Sequence, residues 1–276
     1  MVMMGAVIRG VDRISPRLGA RVAARVFLTP RRARLPERER AWLEKARPEI
    51  FATGSFQLSG HRWSASGKRV LLVHGWEGRG SQLGGLALAI AERGFEPITV
   101  DLPAHGSSKG AQTNLLEISQ AISALVRHLG GVAGIVAHSF GAAGTTVALR
   151  ESLDVGRLVY LAPSEDFEHF PRVFSHWLGL PQQLSERMRH SIETRFGFTM
   201  AELRGRRLAP RMRAPLLVVH DEDDVDVPWQ DGKTYAEAWP GSRLVTTRGL
   251  GHRRILREPE VLEVVAEFFG TGGRRR

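Results

Sequence analysis

The sequence predicts an α/β fold: a mostly parallel sheet with helices on both faces and a helical lid insertion. Three observations carry this. From about residue 55, short apolar runs alternate with helical stretches, the pattern of strand–crossover–strand units. One Ser, Ser139, stands where an apolar run ends and a helical pattern begins. The alternation breaks once, between Ala162-Pro163 and Pro210, for about 45 residues without a strand-like run.

The first 48 residues stand apart. Val11, Ile14, Leu18, Val22 and Val26 recur at spacings of three or four, and Arg13, Arg17, Arg21 and Arg25 recur every four. That is the period of an amphipathic helix, with Ser15-Pro16 as cap and first turn. The favoured reading packs its apolar stripe on the body and leaves the Arg face in water. The alternative is a weak contact of residues 1–48 with an anionic membrane surface. Arg31, Arg32 and Arg34 read as a solvated linker, and Glu37 to Ala46 as a second short helix.

In the body, Phe56-Gln57-Leu58 and Arg62-Trp63-Ser64 read as an antiparallel pair around Ser59-Gly60. Arg69 to Val73 is a continuous apolar run, hence a buried strand. Leu83 to Arg93 is helical and stops at Gly94. Phe95 to Val100 is a strand, Leu115 to Leu129 a helix closed by Gly130-Gly131, Val132 to Ala137 a strand and Gly141 to Arg150 a helix. Strands follow at Leu158 to Leu161, Leu216 to Val219 and Leu244 to Thr246, with helices near Gly232 to Ala238 and at Pro259 to Phe269. In the interruption, Phe167, Phe170, Val173, Phe174 and Trp177 have helical spacing, as do Leu184, Met188, Ile192 and Phe196. An all-helical insertion between two strands sits above their carboxyl ends, where ligands bind in such sheets. The expected organisation is a basic helical extension over 1–48, a core over 49–162 and 211–276, and a helical lid over 163–210.

Composition narrows the chemistry. The chain has 276 residues, 42% hydrophobic and 25% charged, enough to bury a sizeable core. It has no Cys, which removes disulfides, thiolate zinc sites, iron–sulfur clusters and a Cys nucleophile. That agrees with a reducing compartment, so a cytoplasmic location is expected. No apolar run reaches about 18 residues, and Arg9, Asp12 and Arg13 interrupt the apolar start that a secretory signal would need. The formal net charge is +10. Residues 1–48 hold 12 Lys/Arg and 4 Asp/Glu, and Arg274, Arg275 and Arg276 add three more cations. The rest is close to neutral, so no nucleic-acid partner is expected although the total charge is basic.

The chemistry centres on Ile135-Val136-Ala137-His138-Ser139-Phe140-Gly141-Ala142. A sharp strand-to-helix turn needs small residues two positions either side of the Ser, here Ala137 and Gly141, and it lifts the hydroxyl above the sheet. A Ser hydroxyl needs a base. His252, in the loop between the last strand and the last helix, returns to the same sheet edge; His138 is expected to pack under the turn. The base needs an acid to set its tautomer. The stretch His220 to Pro228 offers Asp221, Asp223, Asp224 and Asp226, and it lacks the pattern of a calcium loop.

Four motifs together resemble the α/β-hydrolase superfamily, in its serine esterase and lipase-like branch, over about residues 55 to 270. They are His74-Gly75-Trp76, Asp101 to Ser108, Ala137 to Gly141, and Gly251-His252. The resemblance implies the α/β-hydrolase fold and a Ser nucleophile, which excludes the Asp-nucleophile dehalogenases and most epoxide hydrolases. In this family the acid precedes the Val of a Val-Pro pair by three residues; Val227-Pro228 therefore selects Asp224, with Asp223 in reserve. The oxyanion hole maps onto the backbone N–H groups of Trp76 and Phe140. Asp101 to Ser108 matches a structural turn in which Ala104 replaces the usual Gly. Glu77 is expected to face solvent.

The expected function is hydrolysis of a carboxylic ester of small or medium acyl chain through an acyl-enzyme. Phe170, Phe174 and Trp177 of the lid are the expected apolar substrate contacts. The partner is a small-molecule ester, with neither metal nor cofactor. The alternatives are a thioester, amide or C–C hydrolase or an acyltransferase with the same triad, and a catalytically weak binding protein on the same fold.

Overall fold

A computed structural model describes residues 2–63 and 66–270, with the side chain of Val2 left out. Ser64 and the tail Arg274-Arg275-Arg276 lie outside the described residues. The chain opens with helices α1 (Val2–Ile14), α2 (Pro16–Phe27) and α3 (Glu37–Leu43). Strands β1 (Arg47–Thr53), β2 (Phe56–Arg62) and β3 (Lys68–Val73) follow, then α4 (Gly84–Ala91), β4 (Phe95–Val100) and α5 (Leu115–His128). Next come β5 (Val132–His138), α6 (Phe140–Ala148), β6 (Val155–Leu161), and helices α7 (His169–Trp177), α8 (Gln182–Phe196) and α9 (Gly205–Leu208). The chain continues with β7 (Leu216–Asp221), α10 (Trp229–Ala238), β8 (Arg243–Thr247), α11 (Gly251–Arg254) and α12 (Pro259–Gly270).

One eight-stranded sheet runs in the order β1-β2-β4-β3-β5-β6-β7-β8. β1 and β2 are antiparallel at one edge, and β4 through β8 run parallel. The order reverses at β3, whose neighbours are β4 and β5, so a crevice opens at their carboxyl ends. Register decides what faces it. Val73 pairs with Ala137, which sets the residues after β3 level with those after β5.

The central strands are apolar throughout because both faces are covered. Leu71, Val73, Ile135 and Ala137 point into one core with α5 and α6; Val70, Leu72 and Val136 point into a second with α4 and α12. This is the two-residue period of a strand shared between two layers of helix.

The expected antiparallel pair around Ser59-Gly60 is not formed. Phe56 to Arg62 is one strand, and its partner is Arg47 to Thr53, turned at Gly54 with φ 59°. Gly60 serves close approach instead: a Cβ there would lie 2.3 Å from Thr99 O and 2.9 Å from the Phe51 ring. The amino-terminal repeat also resolves differently. Ser15 caps α2, accepting from Leu18 N–H at 3.4 Å, but Val11 and Ile14 belong to a separate preceding helix. The fully buried face of α2 is Gly19, Ala20, Ala23 and Ala24, packed toward α8, while Val22 and Val26 of the stripe pack half-buried against the core. Small residues let the two helices approach closely, which leaves Leu18 and Ile14 exposed.

Asp101 to Ser108 is a structural turn. Asp101 Oδ1 accepts Gly80 N–H and Oδ2 accepts Ser107 N–H, each at 2.7 Å. Ala104 sits within it at φ 64°, a left-handed conformation that costs an L-residue about 1–2 kcal/mol. Ala104→Gly relieves this strain and loses part of the gain to unfolded-chain entropy. The urea midpoint should rise, for a net gain of up to about 1 kcal/mol.

Candidate active site

β5 delivers Ser139 into the crevice in a strained conformation, φ 53° and ψ −122°. Ser at positive φ persists only where its surroundings impose it. Here they do: a Cβ on Gly141 would stand 2.3 Å from the carbonyl oxygen of His74, and one on Gly75 would stand 2.9 Å from Ser139 Cβ. Ala137 is fully buried, and its methyl is tolerated.

Ser139 Oγ lies 3.0 Å from His252 Nε2, and His252 Nδ1 lies 2.7 Å from Asp224 Oδ2. These contacts fit a hydroxyl donating to Nε2 and Nδ1–H donating to the carboxylate. Asp224 Oδ1 accepts the N–H groups of Asp226 and Val227, each at 2.9 Å. His220 Nε2 stands 3.3 Å from Oδ2 and 3.1 Å from Val227 O. Burial pushes the Asp224 carboxyl up, but the bonds from His220, His252 and Val227 outweigh it, and its pKa is held below the usual carboxylate range. Asp223 points elsewhere, accepting Gly249 N–H at 2.9 Å.

Three groups that the sequence places in or beside its motifs take roles there that the sequence does not assign. Asp221 is fully buried and gathers the His252 loop: Oδ2 accepts the Thr247 hydroxyl at 2.7 Å and Leu250 N–H at 3.1 Å, and Oδ1 accepts Gly251 N–H and Asp223 N–H, each at 3.0 Å. Burial opposes its charge, yet these donors hold its pKa below the ordinary value. His138 is not simply packed beneath the turn. Its Nε2–H donates to His252 O at 3.0 Å, and the two rings lie 4.6 Å apart. His74 shapes the turn after β3: Nδ1–H donates to Gly75 O at 2.7 Å, and Nε2 accepts Leu102 N–H at 3.0 Å. His74 and His138 stand inside quoted motifs and Asp221 in the acidic stretch after β7, but none of these patterns shows which groups they will bond.

Phe140 opens α6, so its N–H is one of the donors a helix leaves outside its own ladder. Trp76 follows Gly75, where a Cβ would stand 2.9 Å from Ser139 Cβ. The Trp76 ring stacks on Phe27 at 6.5 Å and meets Phe140 edge-on at 5.6 Å. Phe140 in turn meets Phe170 at 5.9 Å, and Phe27 meets Phe174 at 5.2 Å. These rings, Trp177 and the Ser139–His252 pair all line one cavity of about 1340 Å³. Phe27 was not anticipated, because nothing in a periodic helix announces which loop its end will cover. Glu77 does not face solvent freely: it accepts Arg31 Nε and Nη2, each at 2.8 Å, and Arg31 N–H at 3.2 Å. Among the described residues no group of three His, Cys, Asp or Glu is placed to hold a metal, and no helix is long and apolar enough to cross a membrane.

His74 cannot be protonated without losing its acceptor for Leu102 N–H. Burial, together with His105 nearby, holds its pKa well below the ordinary 6.5, and burial with the adjacent His252 does the same for His138. The unfolded chain therefore binds more protons, so their contribution to stability is complete above pH 6.5 and declines as pH falls below it. Each costs at most about 1.4 kcal/mol per pH unit. The urea midpoint should drop between pH 7.5 and pH 5.5; a flat profile contradicts it. Asp221→Asn sets an amide against several N–H donors and should lose about 2 kcal/mol by the same measurement.

Comparison with solved structures finds this fold widely. The esterase Pf2001 of Pyrococcus furiosus superposes with TM-score 0.66 at 19% identity, over 87% of this chain and 97% of that one. The esterase EaEST of Exiguobacterium antarcticum gives TM-score 0.63 at 16% identity, over 82% and 100%. A membrane phospholipase A described as a bacterial virulence factor gives 0.65 at 17%, over 86% and 89%. No curated protein matches the chain in sequence. Residues 70–265 match the alpha/beta hydrolase family; with that span containing Ser139, Asp224 and His252 on this sheet, the chain belongs to the alpha/beta hydrolase family.

Proposed function

We propose that the protein is a serine hydrolase of the carboxylesterase type. The observation that supports it most is the hydrogen-bonded series Ser139, His252, Asp224 at the carboxyl ends of the parallel strands. In this reading Ser139 Oγ attacks the ester carbonyl as its proton passes to His252 Nε2. Asp224, kept anionic by its hydrogen bonds, fixes Nδ1–H and stabilises the imidazolium. The N–H groups of Trp76 and Phe140 receive the oxyanion, an effect worth roughly 3 kcal/mol per donor. His252 then protonates the departing alkoxide. Water, deprotonated by His252, attacks the acyl-Ser139 carbonyl and releases the carboxylic acid and free Ser139.

Phe170, Phe174 and Trp177 supply the acyl contacts, with α7 and α8 as the lid. The cavity volume of about 1340 Å³ exceeds an ordinary small-molecule pocket, which favours medium over very short acyl chains. Esterases share the fold at low identity, which supports an ester over the thioester, amide or C–C bond that the same groups could cleave.

A panel of nitrophenyl esters of rising chain length tests this. Turnover should peak at medium length. Ser139→Ala should remove the burst and lower kcat by at least about 10³-fold. Asp224→Asn should cost about 10⁴-fold through the wrong tautomer, while Asp223→Asn should cost less than about tenfold. No turnover of any ester refutes the ester assignment, and the reverse order of the two Asp variants moves the acid to Asp223.

A further inference from the structure

The amino-terminal helices leave an unexplained face. α1 is held to the body through one side only. Gly5 and Ile8 are buried, and Arg9 Nη1 donates to Leu178 O at 3.1 Å and Gly179 O at 2.9 Å. A Cβ on Gly5 would stand 1.9 Å from Leu178 O, so the helix lies directly against the turn that ends α7. Asp12, the only acid before Glu37, is bound to Arg187 at 2.7 Å.

The opposite side of α1 is apolar and open to solvent. Met3 is 84% exposed, Val7 59% and Ile14 88%, and Leu18 at the start of α2 is 50%. Residues 3, 7 and 14 fall on one stripe of a helix. Arg13, Arg17, Arg21 and Arg25 are exposed on the same two helices, Arg13 next to Ile14 and Arg17 next to Leu18 in the chain, and among the described residues none has a carboxylate partner. Exposed apolar side chains interspersed with unpaired arginines on two helices packed together match the chemistry of an anionic bilayer, with acyl chains below and phosphate above.

The face is also continuous with the cavity. Met4, 45% exposed, and Trp177, 60% exposed, line the same cavity as Ser139. We propose that the α1–α2 face docks on an anionic lipid surface and turns the cavity mouth toward it. The class of substrate that follows, an ester of a lipid held in that surface, rests on the hydrolase reading; the docking does not.

Docking is tested with Ser139→Ala protein and sedimented vesicles, one set of equal phosphatidylglycerol and phosphatidylcholine and one of phosphatidylcholine alone. Binding should favour the anionic vesicles at least tenfold and weaken as salt rises. Val7→Glu with Ile14→Glu should reduce it at least tenfold, and Arg13→Gln with Arg17→Gln and Arg21→Gln should reduce both binding and its salt dependence. Failure to bind anionic vesicles at low salt, or binding unchanged in both variants, overturns the proposal. So does a concentration-dependent dimer that Val7→Glu abolishes, which would assign the face to a second copy of this chain. With Ser139 restored, Val7→Glu/Ile14→Glu should keep turnover of a soluble nitrophenyl ester while losing turnover of a lipid ester in anionic vesicles. Loss of both points to misfolding, which the arginine variant then decides by vesicle binding alone. An absence of soluble-ester turnover in the unaltered protein counts against the hydrolase reading, not against docking.

Discussion

The arrangement depends on a backbone contact rather than a side chain. Gly141 passes so near the carbonyl oxygen of His74 that no Cβ fits between them. This clamp joins the end of β3 to the start of α6 and imposes positive φ on Ser139. The register Val73–Ala137 makes the clamp possible, because it sets the residues after β3 level with those after β5.

A second set of constraints holds the opposite wall. The chain after β7 and the chain after β8 are loops, and loops need polar partners. Asp221 supplies them for one and Asp224 for the other. Both carboxylates are buried, and both are satisfied by donors on more than one side, which keeps them charged in a place that would otherwise neutralise them. The histidines nearby follow the opposite logic. His74 and His138 are buried without a facing carboxylate bond, so they stay neutral and act as directed donors and acceptors. On this wall the charge rests on Asp221 and Asp224, while His74 and His138 hold backbone groups in place.

The amino-terminal segment changes meaning once it is seen in place. Its helices pack on α8 and on the end of α7, and Phe27 closes over Trp76. The wall of the cavity therefore draws on distant parts of the chain, among them the α2 end, the turn after β3 and the helices after β6. Arg31, bonded to Glu77, ties the first of these to the second. An otherwise awkward acid next to the Trp76 turn is thereby given a partner.

Local pattern was enough for much of this molecule. Alternating apolar runs and helical stretches, bounded by Gly and Pro, place nearly every parallel strand, because a strand buried on both faces must be apolar along its length. Small residues around Ser139, and the order Ser, Asp, His, point to the groups that meet in space. Other features have no local sign. β1 and β2 pair through a turn at Gly54 while Gly60 makes room for β4, and a glycine looks the same in either role. Four aspartates in one loop differ only in which way the folded backbone aims them. Asp221, His74 and His138 acquire partners from residues 26 to 114 positions away, and Phe27 finds Trp76 across 49 positions. Periodicity reports which face of an element is apolar; it cannot report what that face, or an isolated polar group, will meet, because that is set by long-range register and packing.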